Sequence, residues 1–403
     1  MTDVVQGARA DRMQLCNRLS EGPYPSHVRE LSESRFPLQM LEDGLRLGRT
    51  QWSTGGYISV PPLLAGIAVT GSSRPDITSD VTRLRLLGVP GGFLSPELMH
   101  RLADLADEFG DGHLRWTTAG SIEFGVERGR LLEAAIAANE AGLDIGSTGD
   151  DIRNISACPG SYRCDLAMVN APDIAFALGQ ATIDDQQYPG FPNKLKTGVS
   201  GCPNDCVRAQ MQKDHAFVGV FNGTPVVDHE AMAVWLEEGG RAGASAGSSD
   251  PVGIDYLLRN CPGGAIERSG GSVVIDAEAC RHCMMCLNRC PAIHPGGERG
   301  VAWVAGGKYG HRGTNGPMTG FVLATFIPAI PPDYGEILEV YRRFLDLYAD
   351  HGRRKERVGD MIVRMGLKTV LELMELEPDP AILQDPAQKM FVVWPATEPA
   401  RGR

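Results

Sequence analysis

The sequence of 403 residues predicts an α+β fold, with an α/β sandwich first, a small cysteine-rich module inserted later, and a helical tail at the end. Three observations predict it. Residues 83–141 follow the order strand–helix–strand–strand–helix, which is that of ferredoxin-like sandwiches. Nine of the ten cysteines lie between residues 158 and 290, which indicates a ligand-binding region. After residue 334, apolar residues recur at helical spacing.

The first domain is predicted over residues 1–150, and its elements are recognisable from residue 83 onward. Residues 83–87 alternate between basic and apolar side chains, as a half-buried strand does. Ser95 is a typical helix cap, because proline and an acidic residue follow it in the first turn, and this helix ends near Gly110. The remaining predicted elements are strands at 113–118 and 121–126 and a helix at 131–141.

The rest of the chain divides by composition. Residues 151–247 are predicted to form the first segment of a ligand-binding domain, and residues 240–250 have the composition of a linker. The inserted module is predicted over residues 248–293. The ligand-binding domain then continues over 294–403, through a glycine-rich stretch and a helical tail that begins near Tyr334.

Composition and charge exclude several classes of protein. The net charge of −11 argues against general nucleic-acid binding. The sequence contains no apolar run of the length that a membrane span needs and begins without the pattern of a signal peptide. A cytoplasmic protein is therefore expected, in which the cysteines serve as metal ligands and not as disulfides.

The inserted module carries an iron–sulfur motif. Cys280, Cys283, Cys286 and Cys290 follow the C-x2-C-x2-C-x3-C-P spacing of bacterial ferredoxins, which predicts a [4Fe–4S] cluster. In two-cluster ferredoxins the fourth cysteine of such a run binds the other cluster. By that reasoning Cys261, which also precedes a proline, is the favoured fourth ligand, and Cys290 is the alternative.

A second set of cysteines lies upstream of the module. Cys158 and Cys164 are separated by five residues, whereas Cys202 and Cys206 are separated by three. Neither spacing is that of a zinc knuckle. Two loops that each provide two thiolates can enclose one more [4Fe–4S] cluster.

These two spacings, with Pro203 and Asn204 inside the second, resemble the signature of the sirohaem sulfite and nitrite reductases. The resemblance implies sirohaem coupled to the second cluster, with Cys206 bridging the cluster to the sirohaem iron. It also implies ferredoxin-like halves of the sulfite reductase fold around a sirohaem-binding domain. Two early segments, residues 19–26 and 49–56, and the inserted module are similar to the alpha subunits of the dissimilatory branch.

That branch implies an activity and partners. The expected activity is the six-electron reduction of sulfite to sulfide, or its reverse. The expected partners are a homologous beta subunit in an α2β2 complex and a small sulfur-carrier protein with C-terminal cysteines. The alternatives are a sirohaem nitrite reductase, an anaerobic assimilatory sulfite reductase subunit, and a non-catalytic electron-transfer subunit with a blocked sirohaem site.

Both the substrate and the sirohaem are anionic, so basic residues near the cysteines are candidate ligands. The residues expected to bind the sirohaem carboxylates are Arg115, Lys308 and Arg312, with Arg299 as an alternative to Arg312. Lys194 and Lys196 alternate along a predicted strand before Cys202, so both point the same way. The resemblance implies that four residues face sulfite: Arg85, Arg153, Lys194 and Lys196.

The sequence departs from the alpha-subunit pattern at two positions. A third lysine expected after Lys196 is Gly198 here. An arginine expected after the second cysteine pair is Gln212, followed by Lys213. These departures affect the basic residues of the site, and the cysteine pattern is unchanged.

Overall fold

The computed structural model describes residues 57–58, 81–110, 112–117, 119–127, 130–143, 146, 150–187, 190–240, 253–309 and 315–377. These residues form three sheets, each with its own packing partners. Within these ranges no helix combines the length and apolar character that crossing a membrane requires.

The first sheet belongs to the N-terminal sandwich and has the strand order β1-β2-β4-β3. Strand β1 is parallel to β2, and the other pairs are antiparallel. Two helices cover one face and bury an apolar core with β2 and β4. The elements are β1 (Tyr57–Ile58), β2 (Val81–Leu86), α1 (Pro96–Phe109), β3 (Leu114–Trp116), β4 (Ile122–Glu127) and α2 (Leu131–Glu140).

The predicted strand–helix–strand–strand–helix order is therefore confirmed. The Ser95 hydroxyl accepts a hydrogen bond from the Leu98 amide at 3.2 Å, so it caps α1 as expected. Gly110 ends the helix, and a Cβ at this position would lie 2.1 Å from the Gly125 carbonyl oxygen. Glycine is required there because helix and strand approach so closely.

The second sheet is mixed, with the order β11-β10-β7-β6-β5. Strands β5, β6 and β7 are parallel, whereas β10 is antiparallel to both of its neighbours. Its strands are β5 (Ser156–Ala157), β6 (Thr197–Ser200), β7 (His215–Val227), β10 (Ile293–Ala305) and β11 (Phe321–Pro328). The helices of this domain are α3 (Ala171–Ala181), α4 (Ile183–Gln187), α5 (Ala209–Gln212), α8 (Gly335–His351), α9 (Val358–Met365) and α10 (Leu367–Leu373).

The two faces of this sheet have different environments. Thr197 and Phe217 point toward the C-terminal helices, where the Thr197 and Tyr341 hydroxyls lie 2.6 Å apart. Small residues such as Ala216 and Val218 alternate with them on the opposite face. The predicted helical tail thus packs onto the sheet as part of its core.

The glycine-rich stretch contains part of a long strand, β10, that the sequence analysis did not predict. Strand β10 pairs with β7 across its length, and the register shifts twice near Gly296. A Cβ on Gly296 would lie 1.9 Å from the Thr224 carbonyl oxygen, and one on Gly300 would lie 2.4 Å from that of Ile327. The glycines allow the strands to approach but remove the alternation by which strands are recognised.

The third sheet is the hairpin of the inserted module, β8 (Ile266–Ser269) paired with β9 (Ser272–Ile275). Two helices pack on it, α6 (His229–Glu237) and α7 (Gly253–Asn260). Met232 and Trp235 of α6 are buried in this core. The packing unit thus begins near residue 229, upstream of the predicted boundary at 248.

Candidate functional site

The first cysteine set lies at one edge of the mixed sheet. Cys158 follows β5 and Cys202 follows β6, and these strands are parallel neighbours, so their carboxyl ends meet. The Cys158 amide donates to the Val199 carbonyl at 3.1 Å, and the Gly201 amide donates to the Cys158 sulfur at 3.0 Å. The thiols of Cys158 and Cys202 interact electrostatically with each other and with those of Cys164 and Cys206.

Asp205 shapes the loop between Cys202 and Cys206. Its carboxylate accepts hydrogen bonds from the Ala209 amide at 2.8 Å and the Gln210 amide at 3.1 Å, and also from the Ser200 hydroxyl. Its φ of 45° lies in the left-handed region, where aspartate is tolerated better than most residues. The sequence analysis did not single out Asp205, although its place between two cysteines and before a helix was a signal.

The thiols of this set are suited to a bound cation. Burial raises the pKa of Cys202 to about 11, and burial likewise raises that of Cys158, while nearby backbone amides oppose the shift. Such thiols are protonated at neutral pH unless a metal supplies positive charge. Four soft sulfur donors with amide hydrogen bonds to sulfur are the donor set that an iron–sulfur cluster takes.

The second cysteine set lines a cavity in the inserted module. Cys261, Cys280, Cys283 and Cys286 all line this cavity. Their thiols interact electrostatically with one another. The Ala265 amide donates to the Cys261 sulfur at 3.3 Å, and burial raises the pKa of Cys286 to about 12.

Cys290 occupies a different environment. It is fully buried in the core of the module, where its sulfur lies 3.9 Å from the Met232 sulfur. It is not among the residues that line the cavity. Burial raises its pKa to about 11.

In neither cysteine set do the side chains point at the position of one single metal ion. Among the described residues, no three His, Cys, Asp or Glu side chains are placed to hold one metal ion. A cubane cluster has iron atoms at four corners and takes its thiolates from around its body. The arrangement around the module's cavity fits such a cluster.

The two cysteine loops are in direct contact. Asn288, beside the module's last cysteine, donates to the Asn204 side-chain oxygen at 2.9 Å, and Asn204 donates back at 3.4 Å. Met284, between two cysteines of the module, is buried in the same apolar core as Cys202. The tertiary structure thus brings both sets of thiols into one region.

The four residues predicted to face sulfite also come together. Leu195 forms a parallel bridge with Ile152 and is fully buried, so the lysines on either side of it project away from that core. The predicted common direction of Lys194 and Lys196 is therefore confirmed, although regular strand β6 begins only at Thr197. The positive charge of Arg85 acts on Arg153 and on Lys196. The charge of Arg153 acts in turn on both lysines.

Burial and the neighbouring positive charges lower the pKa of the two lysines of this group. Burial, followed by the charges of Lys196, Arg357 and Arg153, lowers the pKa of Lys194 to about 8. Burial and the charge of Arg357 also lower the pKa of Lys196. Among the described residues, neither of these lysine ammonium groups has a hydrogen-bond or ion-pair partner. Such a site favours an anion.

Two basic residues of this region were not predicted as ligands. Arg357, at the start of α9, forms a buried bidentate pair with Asp214 at 2.9 and 2.7 Å. Lys213 is also buried, and burial and the charge of Lys196 lower its pKa to about 8. Arg357 lies far from the cysteines in sequence, so no local pattern could have revealed it.

Arg85 and Arg115 share one carboxylate. Glu123 of β4 is buried, and its Oε1 accepts hydrogen bonds from Arg85 Nε at 3.1 Å and Nη2 at 2.9 Å. Arg115 Nη2 lies 3.5 Å from the other oxygen of Glu123. Strand pairing places these residues side by side, since Glu123 is the register partner of both arginines.

The residues predicted to contact sirohaem differ in burial and in their partners. Lys308 is 1% exposed, and its ammonium donates to both carboxylate oxygens of Asp360 at 2.7 and 2.6 Å. Arg299 donates to the backbone carbonyls of residues 295–297. Arg312 lies outside the described residues. Arg115 remains mostly exposed beside its pair with Glu123.

Comparison with known protein families decides the family. The model of the nitrite and sulphite reductase 4Fe-4S domain matches residues 148–379, and that of the nitrite/sulfite reductase ferredoxin-like half domain matches residues 86–138. The chain belongs to the nitrite and sulphite reductase family. Its predicted fold class and its predicted iron–sulfur cofactor agree with these matches.

The similar proteins include subunits of dissimilatory-type sulfite reductases. The chain is 28% identical to the alpha subunit of the dissimilatory-type sulfite reductase of Allochromatium vinosum, over 94% of this chain and 93% of that subunit. It is 24% identical to the beta subunit from Nitratidesulfovibrio vulgaris, over 73% of this chain and 78% of that subunit. The crystal structure of dissimilatory sulfite reductase I superposes with a TM-score of 0.73 at 25% identity, over 98% of this chain and 92% of that one.

Proposed function

We propose that this chain is the alpha-type catalytic subunit of a dissimilatory-type sulfite reductase. The observation that carries the proposal is the meeting of four thiols at the carboxyl edge of the mixed sheet, in a domain that also holds a group of buried, cationic side chains before β6. Sirohaem beside a [4Fe–4S] cluster, when bound there, supplies an iron atom that holds sulfur and a store of electrons for a six-electron reduction. The products are sulfide and water, or the reaction runs in reverse.

We assign the basic residues to the oxyanion. Arg85, Arg153, Lys194 and Lys196 bind sulfite by charge-assisted hydrogen bonds, and their summed charge offsets the desolvation of the anion. The reduction consumes protons as oxygen leaves as water. Lys194, whose pKa is lowered to about 8, can release a proton near neutral pH and regain it from solvent.

Each cysteine set holds one cluster in this proposal. Cys158, Cys164, Cys202 and Cys206 would hold the first, and Cys206 would also contact the sirohaem. The second is held by Cys280, Cys283 and Cys286 with Cys261, which shares their cavity, in preference to Cys290. Arg115, Lys308 and Arg312 remain the proposed sirohaem contacts, with Arg299 as the alternative to Arg312. Lys308 would have to exchange or share its pair with Asp360.

We also propose the assembly that the relatives' names suggest. The chain pairs with a homologous beta subunit in an α2β2 complex and passes partly reduced sulfur to a small carrier protein with C-terminal cysteines. The support is the similarity of this chain to both the alpha and the beta subunits of known relatives.

The test is an anaerobic visible absorption spectrum of the purified protein, before and after sulfite is added to the reduced form. Sirohaem bands that shift with sulfite are expected. Iron–sulfur absorption without tetrapyrrole bands, in a preparation that contains the partner subunit, would contradict the proposal and leave an electron-transfer role. Turnover of nitrite far above that of sulfite would indicate a nitrite reductase instead.

A substitution asks whether this chain lines the working pocket. Lys196→Ala removes an ammonium group that has no partner in the described structure, so sulfite turnover in the assembled complex is expected to fall at least tenfold. Unchanged turnover would place the working pocket in the partner subunit. Lys368→Ala, at an exposed lysine on α10, is the matched control.

A further inference from the structure

Lys213 is a buried cation for which the assigned site gives no role. It follows α5 and precedes β7, and only 3% of its surface is exposed. Among the described residues its ammonium has neither a hydrogen-bond nor an ion-pair partner. A lysine whose side chain is almost wholly buried while its ammonium group has no protein partner requires an explanation.

The nearby carboxylates are already engaged. Asp214 and Asp205 are the acidic groups whose charges act on Lys213. Asp214 accepts from Arg357 through both oxygens and from the Lys196 amide at 2.9 Å. The Asp205 oxygens accept from the amides of α5 and from a serine hydroxyl. Neither forms a salt bridge with Lys213.

The side chain of Lys213 lies over Gly198. A Cβ built on Gly198 would lie 3.0 Å from Cγ of Lys213 and 3.3 Å from its Cε. The aliphatic chain of Lys213 therefore fills the space that a side chain at position 198 would take. This space exists only because position 198 is glycine.

Position 198 belongs to the lysine-bearing face of the sheet. Thr197 and Val199 point into the core formed with the C-terminal helices, so Gly198 faces the other way, as Lys196 does two residues earlier. Lys213 therefore reaches the same face, where the charge of Lys196 acts on it.

We propose that Lys213 is a third anion-binding lysine of this site, carried across Gly198 from the end of α5. The inference rests on the proposed function and deepens it. Its ligand is an oxyanion group, which is either the substrate or a carboxylate of the sirohaem. Both present the same chemistry to an ammonium, and the experiment separates them.

The first test is Lys213→Met in the complete, cofactor-loaded complex. Methionine keeps the aliphatic chain over Gly198 and removes only the charge. A rise of about tenfold in the Kd for sulfite, measured by the shift of the sirohaem absorption bands with sirohaem content unchanged, identifies the substrate as the ligand. A lower sirohaem content per chain, measured after extraction, identifies the cofactor carboxylate. Both properties unchanged would overturn the proposal.

A relocation of the charge is the second test. Gly198→Lys combined with Lys213→Ala places an ammonium group in the same space from the other strand. This double variant is expected to recover the property lost in Lys213→Met, whereas Lys213→Ala alone is not. Failure to recover in a double variant with wild-type thermal stability would overturn the proposal.

The outcome for the wild-type protein separates this inference from the proposed function. A wild-type complex without sirohaem bands contradicts the function itself. A wild-type complex that binds sulfite, beside a Lys213→Met variant indistinguishable from it, contradicts only the role of Lys213. Lys368→Ala is the control for loss of a lysine charge elsewhere.

Discussion

Cys261 and Cys290 differ in environment, although each is followed by a proline. The first shares a cavity with three other cysteines, and the second is buried against Met232. Cluster thiolates must face the same cavity, whereas a structural cysteine behaves as a small apolar side chain. The environment favours Cys261 as the ligand and Cys290 as part of the core.

Cys261→Ser is therefore expected to remove the module's cluster and to lower the acid-labile sulfide of the chain by about half, since each of the two clusters holds the same number of sulfides; the iron content should fall by slightly less than half, because the sirohaem iron remains. Cys290→Ser should keep both clusters and lower the free energy of unfolding by about 1–3 kcal/mol, because it buries a hydroxyl in an apolar core. Iron and acid-labile sulfide analysis distinguishes the two variants. A full iron content in Cys261→Ser would contradict the assignment.

Lys194 predicts a pH dependence of anion binding. Its pKa is lowered from 10.5 to about 8, so the free protein loses this positive charge as the pH rises past about 8. The affinity for nitrite is expected to fall over that range in a spectroscopic titration. Nitrite is the better probe because its charge stays constant there, whereas that of sulfite changes near neutral pH. The same titration of Lys194→Met should show a smaller decrease, because Lys213, whose pKa is also lowered to about 8, still loses its charge in that range.

The same shift predicts how stability depends on pH. A lowered lysine pKa means that, between about 8 and 10.5, the unfolded chain holds a proton that the folded chain has released. Stability therefore rises with pH in this window, because the buried ammonium group becomes neutral and its repulsion by the neighbouring cations disappears. Thermal unfolding without added anions, with Lys194→Met as the reference, measures this contribution.

At the scale of elements, one buried ion pair joins the sheet to the C-terminal helices. Asp214 lies at the start of β7, and Arg357 precedes α9. The same carboxylate accepts from the Lys196 amide, so it also fixes the start of β6 beside β7. The pair therefore positions both strands beneath the anion site.

Asp214→Asn is expected to lower the free energy of unfolding by about 3–5 kcal/mol, because it leaves the buried Arg357 charge uncompensated. Chemical denaturation followed by circular dichroism measures the change. Asp185→Asn is the matched control, since its pair with Arg342 is partly exposed and should contribute less than about 1 kcal/mol. Equal effects of the two substitutions would contradict the role of Asp214.

The elements that the sequence predicted correctly are those with a local pattern. The first domain from β2 to α2 and the helix after Tyr334 show the expected alternation or helical spacing, and the structure confirms them. Strands β7 and β10 were missed. Their glycines permit close strand contact and bulges, and these are properties of the pairing and not of either strand alone.

At the scale of the whole molecule, we expect the inserted module to depend on its cluster for stability more than the mixed sheet does. Its regular structure is one hairpin and two short helices, and the cysteine-bearing residues 276–292 form neither helix nor strand. The larger domain has five strands and an extensive apolar core. Metal binding in such small modules supplies much of their folding free energy.

Removal of the clusters is therefore expected to raise amide hydrogen exchange first in residues 261–290, while β7 and β10 stay protected. Exchange followed by mass spectrometry on the loaded and the cluster-free protein tests this. Uniform loss of protection across both domains would show instead that the module and the sheet unfold as one unit.

The sequence by itself determined the cluster chemistry, the family resemblance and the sandwich of the first domain. Cluster ligands come from short loops, so their spacing can be recognised within short segments of the sequence. The tertiary structure alone decided which side chains join them. It separated Cys261 from Cys290, placed Lys213 over Gly198, and brought Arg357 to Asp214 from 143 positions away. Contacts made by folding distant segments together leave no periodic pattern in the sequence, and the anion site consists mainly of such contacts.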